Sequence, residues 1–533
     1  MPALMEALDL MPGQHWASNF SVAEDDLDYL SGILLEKETP LRLDELALIV
    51  VERRMQSRAD ALALKYADVQ LYKPARAFEA GQKLLFPLLD NAVGVVRAVR
   101  DGVNPELGAF RVIRVAFEHN GDQPAEREFA SQLSGHRASQ QPQAEISLPG
   151  AEEMQPEAIL REFGEGIRAA LDQRLRADTE LVSVAGRWFP RSLMLDVNAG
   201  HLNLAEAVLD LSGGGPMTAS QLLAEIGGLG SAPESLQVFS LNFALSRDDR
   251  FDEVGPVDSV LWYLRRLEPD EVRNTPLMLR YAPVDFDPAH LSPETAALVA
   301  EIDDEWSDLP APATAASEAV ITLSYPHRRA GTLPLNARLQ QVFPTARRTP
   351  RVFVTVIDAQ NGEEYPCWVV RADRYIFGLA GLYRKHKLPI GAVLRLRQSE
   401  TPGKVVLTFN AHKARTEYLP LITAREGRMS FNYDRRAIGA EYDDLMILGA
   451  DDLAPVDALV QELHKARQPL ARTLHNLVQE LSRTSPQGTV HAKTLYSAVN
   501  VLRRLPPGPI FAALENGSEF EHVGNNYWRL SGR

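Results

Sequence analysis

The chain has 533 residues, 45% hydrophobic and 24% charged, the proportions of ordinary globular protein, and at roughly 150 residues per domain it has room for three or four domains. Its 56 Lys and Arg against 71 Asp and Glu give a net charge of −15, and its single cysteine, Cys367, excludes an internal disulfide framework or a multi-cysteine zinc centre. No apolar run approaches the ~20 residues of a membrane span and the N-terminus has no signal-peptide pattern, so a soluble, cytoplasmic protein is expected. The excess of Arg, Ala and Leu over Lys points to a bacterial coding sequence.

In chain order, residues 1–24 carry no clear period. Leu27, Leu30 and Leu34 place a helix over Asp25–Leu35, and Leu46, Ile49 and Val50 a second over Leu43–Met55. After Tyr72-Lys-Pro74 the period changes to strands, Lys83–Leu88, Val93–Val99 and Phe110–Phe117, so residues 1–130 read as a helical unit followed by a small SH3-like antiparallel β-barrel. Arg97, Arg100, Arg111 and Arg114 project from those strands, as solvated strand faces or as a modest basic cluster. A Gln/Ser/Pro/Ala-rich linker over 131–156 follows, then a helix over Glu157–Arg176 and strand-like pieces over Leu181–Phe189 and Leu193–Val197.

Residues 157–269 end on a helix opened by the capping-box pair Thr218 and Gln221, a second helix over Glu234–Ser246, and Phe251-x-x-Val254-Gly255 leading to Trp262-x-Leu264. The same ending recurs as Phe520-x-x-Val523-Gly524 leading to Trp528-x-Leu530. Both tryptophans are therefore expected to be buried at equivalent places on a wing strand. Gly213-Gly-Gly215-Pro-Met-Thr218 lacks the lysine of a phosphate loop, and Pro216 removes a cradling amide. Residues 270–318 read as an acidic tether, with Asp303–Glu305 as a solvated or partner-docking face and a Pro/Ala-rich run over Ser307–Ala316.

Residues 319–416 reverse the sign of the chain. From Ile321 to Pro420 there are sixteen Lys and Arg against six Asp and Glu, a local +10 that leaves −25 elsewhere. Such a block is a candidate footprint for a polyanion. Strands are expected over Ala319–Tyr325, Arg351–Asp358, Glu364–Arg371, Arg374–Leu379, Ala392–Ser399 and Val405–His412, with short helices near Asn336–Phe343 and Ala380–Lys387. Residues 417–533 continue with a strand-like Leu445–Leu448, a helical hairpin over Pro455–Arg467 and Pro469–Arg483, and helices near Thr489–Leu505 and Gly508–Leu514.

The basic block, through Gly331-Thr-Leu-Pro-Leu335, Val342-Phe-Pro344, Asp358-Ala-Gln-Asn-Gly362, Trp368-Val-Val370, Tyr375-Ile-Phe-Gly378 and His386-Lys-Leu-Pro-Ile-Gly391, resembles the DNA-binding pseudobarrel of plant transcription factors and of the effector domains of some restriction enzymes. The resemblance covers about a fifth of the chain. It implies two arms gripping the major groove, here at His327, Arg328 and Arg329 and at Arg371 and Arg374, with Arg347, Arg348 and Arg351 as further phosphate contacts. The alternative is that the basic face docks on the chain's own acidic segments. The Phe-x-x-Val-Gly…Trp-x-Leu endings resemble the last part of HARE-type winged helices, fused to restriction enzymes and present in a bacterial RNA polymerase subunit.

The fold class expected is therefore α+β multi-domain, with winged-helix-like units and small antiparallel β-barrels. No His-Glu-x-x-His, Gly-x-Ser-x-Gly or nuclease carboxylate–lysine pattern occurs, so no catalytic residue, metal ligand or cofactor is expected. The expected function is a non-catalytic protein whose barrel contacts double-stranded DNA and whose winged-helix-like units contact protein partners. A protein–protein adaptor of a transcription, repair or defence complex is the alternative, and a divergent metal-dependent nuclease ranks last.

Overall fold

A computed structural model describes residue 16 and residues 20–532, except 66, 87–88, 90–91, 105–107, 118–125, 135–153, 258, 311–317 and 347–348. Arg347, Arg348, most of the expected linker and the Pro/Ala-rich end of the expected tether lie outside the described residues. The chain is a mixed α+β protein that divides into two compact units, 1–195 and 196–533.

In the first unit, helix Glu24–Lys37 buries Leu27, Leu30 and Leu34 at the spacing that a helix needs to bring them onto one face. Strand β1 (Leu41–Arg42) runs straight into helix Leu43–Lys65. A five-stranded sheet then follows in sequence order: β2 (Val69–Leu71), β3 (Lys83–Phe86), β4 (Ala92–Asp101), β5 (Arg111–Phe117) and β6 (Glu126–Ser131). It closes over Phe78, Phe86, Val96, Ile113 and Val115, with Tyr72, Phe117 and Phe129 packed against them. Arg100 and Arg114 both reach Glu128, at 2.6 and 3.7 Å, so part of the small basic cluster is neutralised on the strand surface. Helix Pro156–Ala177 buries Ile159, Ile167, Leu171 and Leu175. Leu181–Phe189 is a hairpin rather than one strand, because Ala185 and Gly186 take left-handed φ of 55° and 72° between β7 (Leu181–Val184) and β8 (Arg187–Pro190). The expected strand Leu193–Val197 is absent; a 3-10 turn, Arg191–Leu193, leads into extended chain.

The second unit begins with helix Ala199–Leu211, capped by Asn198, and helix Ala219–Ile226, capped by Thr218 and Gln221 in the reciprocal way their spacing predicts. Helix Glu234–Leu245 and the hairpin β9 (Phe251–Glu253) and β10 (Trp262–Leu264) complete this segment.

The basic block forms one curled seven-stranded sheet. Its strands are β11 (Ala319–Thr322), β12 (Thr332–Pro334), β13 (Arg351–Asp358), β14 (Glu364–Val370), β15 (Tyr375–Phe377), β16 (Val393–Gln398) and β17 (Lys404–Thr408), in spatial order β11-β16-β17-β13-β14-β15-β12. All neighbours are antiparallel except β13 and β17. Alternation along β13 buries Val352, Val354, Val356 and Asp358, the period-two signature of a strand with one face in the core. Cys367 is fully buried there, and burial pushes its thiol well above the usual range. Two elements escaped the sequence reading: a helix at Tyr325–Ala330, ended by left-handed Gly331, and β12. Gly391 has φ of 88°, and a Cβ there would stand 2.9 Å from the Ile447 Cα, so the backbones approach where only glycine fits.

Beyond the sheet runs a long ribbon, β18 (Ala411–Arg425) and β19 (Arg428–Ala440), closed by Glu426 and Gly427, both left-handed. The expected strand Leu445–Leu448 is mostly a turn, held by Thr494 and Ser497 hydroxyls donating to the Leu445 and Met446 carbonyls at 2.8 and 2.9 Å. Only β20 (Gly449–Ala450), just after it, pairs with β18. Helices Ala454–Lys465 and Leu470–Ser482 form the expected pair. After β21 (Val490–His491) come helices Ala492–Leu502 and Pro507–Asn516, then β22 (Phe520–His522) and β23 (Tyr527–Leu530).

The repeat read from two tryptophans holds in its strand register, although Val254 is buried and Val523 exposed. Phe251 pairs with Leu264 and Glu253 with Trp262; Phe520 pairs with Leu530 and His522 with Trp528. Trp262 and Trp528 are both buried. A third copy of the same order, helix–short strand–helix–helix–hairpin, lies in the first unit, where Ser183 pairs with buried Trp188. In all three the short strand or bridge lies on the tryptophan: Leu41 on Trp188, Met217 on Trp262 and Val490 on Trp528. The first copy escapes a sequence search because the five-stranded sheet is inserted between its second and third helices.

Candidate nucleic-acid interface

Of the six described basic side chains singled out in the basic block, four pair with acids of the same unit. His327 is buried, its Nδ1 2.9 Å from the Thr332 hydroxyl and its Nε2 3.0 Å from Glu305. The Tyr325–Ala330 helix causes this, since it points His327 at the core where an open arm would have presented it to solvent. Arg328 donates to the Leu388 carbonyl at 2.6 Å and lies over the Tyr383 ring, and burial lowers its pKa. Arg329 bonds to the Tyr325 hydroxyl and pairs with Asp457. Among the described residues the Arg371 side chain makes only a long bond, 3.4 Å, to the Pro344 carbonyl. Arg374 is held in the left-handed region, donating to the Glu305 carbonyl at 2.7 Å and Asp308 at 2.9 Å, above the Trp306 ring. A surface cleft of about 380 Å³ beside that ring is lined by Arg273, Arg280, Tyr281 and Asp373, with Arg280 turned back onto the Thr275 carbonyl.

Arg351 pairs with Glu268 at 2.8 Å and lies 3.7 Å from Asp252. Glu268 has no solvent-exposed side-chain surface; burial first, then a hydrogen bond and repulsion from Asp252, push its carboxyl up to about 7 despite Arg351. The structure thus brings His327 and Arg374 together at Glu305, and sends Arg329 and Arg351 to different acids.

Asp303–Glu305 is not a solvated face: all three are buried. Arg504, itself buried, donates to Asp304 at 2.7 Å and lies 2.6 Å from Glu305, and the Tyr496 hydroxyl donates to Asp304 at 2.6 Å. Burial opposes the charge on both carboxylates. It raises Asp304, whereas Arg504 and His327 outweigh it at Glu305 and hold that group low, at about 2. Nearby, Lys493 bridges Glu301 and Asp443, each at 2.6 Å. Acidic residues that look like docking charges in the sequence are therefore internal counter-ions.

The third helices of the two repeats in the second unit offer no cation to a groove, unlike helix Pro156–Ala177 of the first repeat. Helix Pro507–Asn516 buries seven residues, Pro507–Ala512 and Leu514, and carries no Lys or Arg. Helix Glu234–Leu245 buries Leu236, Phe239–Asn242 and Leu245, and likewise has no basic residue.

Five cations without partners among the described residues cluster on the ribbon, which the sequence reading passed over, whereas others such as Lys387, Arg397, Arg467 and Arg472 are scattered over the second unit. Between Ala411 and Ala440 there are six Lys and Arg against three Asp and Glu, a balance of +3. Arg436 is tied to Asp434 and Asp451. The side chains of Lys413, Arg415, Arg425, Arg428 and Arg435 are exposed and make no hydrogen bond or ion pair among the described residues. Register places Thr416 opposite Ala437, Tyr418 opposite Arg435 and Pro420 opposite Tyr433, all on one face. The Tyr418 and Tyr433 rings lie 5.3 Å apart at 37°, and Tyr418 is 68% exposed. Farther along that face Ile422, Phe431 and Met429 enter the core shared by the C-terminal helices, which fixes the ribbon in place. The Tyr433-x-Arg435 alternation, with Lys413, Arg415 and Tyr418 on the preceding strand, was the available signal.

No family model matches the chain, and neither a curated protein nor a solved structure matches it. Among the described residues, no helix is long and apolar enough to cross a membrane and no group of three or more His, Cys, Asp or Glu is placed to hold a metal ion.

Proposed function

We propose that the chain is a non-catalytic DNA-associated protein that contacts the nucleic-acid backbone chiefly through the ribbon on the seven-stranded body. In this reading that body is pseudobarrel-like, and the tryptophan-hairpin segments are winged-helix-like braces or partner-binding units. The observation that carries it is the sorting of charge: the acids of the second unit occupy His327, Arg329, Arg351 and Arg374, while five ribbon cations remain exposed and unpaired. Free cations on a fixed element are what counterion release requires. Arg328, Arg329, Arg371 and Arg374 then act as internal ties, and base-reading arms on those loops are not needed.

The test is anisotropy of a labelled random duplex with the full chain, at low and moderate salt. Each phosphate contact contributes a slope of about −0.9 in log K against log salt, so substituting Lys413, Arg415, Arg425 and Arg428 with Gln reduces the slope by up to about 3–4. An unchanged slope sinks the ribbon assignment. The internal pairing of the sheet's arginines favours a second reading, a protein–protein adaptor, which takes first place if wild-type protein binds no nucleic acid at low salt.

A further inference from the structure

The ribbon joins two features that phosphate binding alone does not need: unpaired cations, and two tyrosine rings on one exposed strand face with an arginine directly opposite one of them. We propose that the face bearing Thr416, Tyr418, Tyr433, Arg435 and Ala437 is a stacking platform for the unpaired bases of a single-stranded nucleic acid. This rests on the reading of the chain as nucleic-acid-binding and specifies its substrate class.

Three physical points carry it. First, the Tyr418 ring is 68% exposed, which a ring serving only to cap the Ile422–Phe431 core would not be. The larger part of its surface stays in water unless something covers it. Second, the surroundings select a negatively charged occupant. Arg435 opposes Tyr418 and forms no ion pair among the described residues, and Lys413 and Arg415 lie up the same strand, Arg415 on the opposite face beside Glu417. The two nearest acids of the ribbon belong to the other face: Glu417 pairs across to Arg436 and Asp434 lies opposite Leu419. Asp434 is occupied as well, its carboxyl held below the usual range by the Arg435 amide and Arg436. Third, the rings lie on a strand face and not on a thin tip. The π-faces of duplex bases are covered by their stacked neighbours and only base edges are open in the grooves, whereas unstacked bases can lie flat on such rings. Any base has a π-face, so the platform is tolerant of sequence, and the cations track the backbone on either side.

The experiment measures binding of the full chain to a labelled oligothymidylate of roughly 15 nucleotides and to a random duplex of like length. Paired substitutions Tyr418→Ala with Tyr433→Ala are compared with Tyr418→Phe with Tyr433→Phe, which keep both rings. The alanine pair is expected to weaken oligothymidylate binding about tenfold or more and leave duplex binding nearly unchanged, while the phenylalanine pair binds both like wild type. Equal losses on both probes, or no loss on the single strand, overturn the platform while leaving nucleic-acid binding intact. Binding of neither probe by wild type overturns the underlying reading instead. If the alanine pair unfolds the ribbon, as a lowered urea midpoint would report, Tyr418→Ala alone decides, because that ring contributes little to the core.

Discussion

The buried charge cluster around Arg504 supports a sharp prediction. Replacing Arg504 with Met keeps most of the side-chain volume but removes the cation facing Asp304 at 2.7 Å and Glu305 at 2.6 Å. Those carboxylates expose 0% and 3% of their side chains, so water cannot replace the guanidinium. Breaking one partner of a buried ionic set in this way costs about 3–5 kcal/mol. The loss is to be read from urea unfolding followed by tryptophan fluorescence; four of the six tryptophans, Trp262, Trp306, Trp368 and Trp528, belong to the unit that holds the cluster.

The pH dependence makes the test specific. In the wild type Glu305 is held low, so its contribution is present above its unfolded pKa and is lost as pH falls. In Arg504→Met, burial without the cation raises both carboxyls, a penalty that disappears as they take up protons. The second effect narrows the gap between wild type and variant from pH 7.5 to pH 5; the first acts only at lower pH, below the ordinary Glu305 pKa. Adding Asp304→Asn and Glu305→Gln to Arg504→Met should recover about half the loss, because no uncompensated charge remains. A loss under about 1 kcal/mol, a gap independent of pH, or a triple variant no better than the single one would refute the assignment of this cluster as an internal lock.

Three further outcomes are expected from the fold. Glu268, raised to about 7 in the fold, holds its proton more tightly folded than unfolded, so its contribution is complete below the unfolded pKa and fades as pH rises to neutrality. Glu268→Gln should therefore lose less stability than wild type between pH 5 and pH 7.5, by up to about 3 kcal/mol, read as the change in urea-unfolding free energy; parallel pH profiles would count against it. Replacing Trp188, Trp262 or Trp528 singly with Ala should cost about 3–5 kcal/mol in each case, since all three fill the same place in one repeated topology. Trp262→Phe should cost about 1 kcal/mol more than Trp528→Phe in thermal or urea unfolding, because the Trp262 indole donates to Asn242 at 2.7 Å and the buried Trp528 Nε1 has no partner among the described residues.

Local pattern alone determined much of this protein. Helix Leu470–Ser482 follows from leucines at helical spacing behind Pro469, β13 from alternating valines, and the two tryptophan hairpins from a short repeated string. These signals are legible because backbone period and burial are recorded within a few residues. The fate of the charges was not. His327 meets Glu305 across 22 residues, Arg351 meets Glu268 across 83, Arg329 meets Asp457 across 128 and Arg504 meets Asp304 across 200. Net charge counted along the chain treats such groups as a free basic block and a free acidic tether, whereas folding cancels one against the other and leaves the ribbon's cations unpaired. The ribbon itself was hidden because its faces change role along their length: the face that carries Tyr418 and Arg435 to solvent also carries Ile422 and Phe431 into the core. The third tryptophan repeat was hidden because an inserted sheet separates its helices. In each case the deciding partner lies far off in sequence, where periodicity carries no record of it and only the closed chain brings the groups within bonding distance.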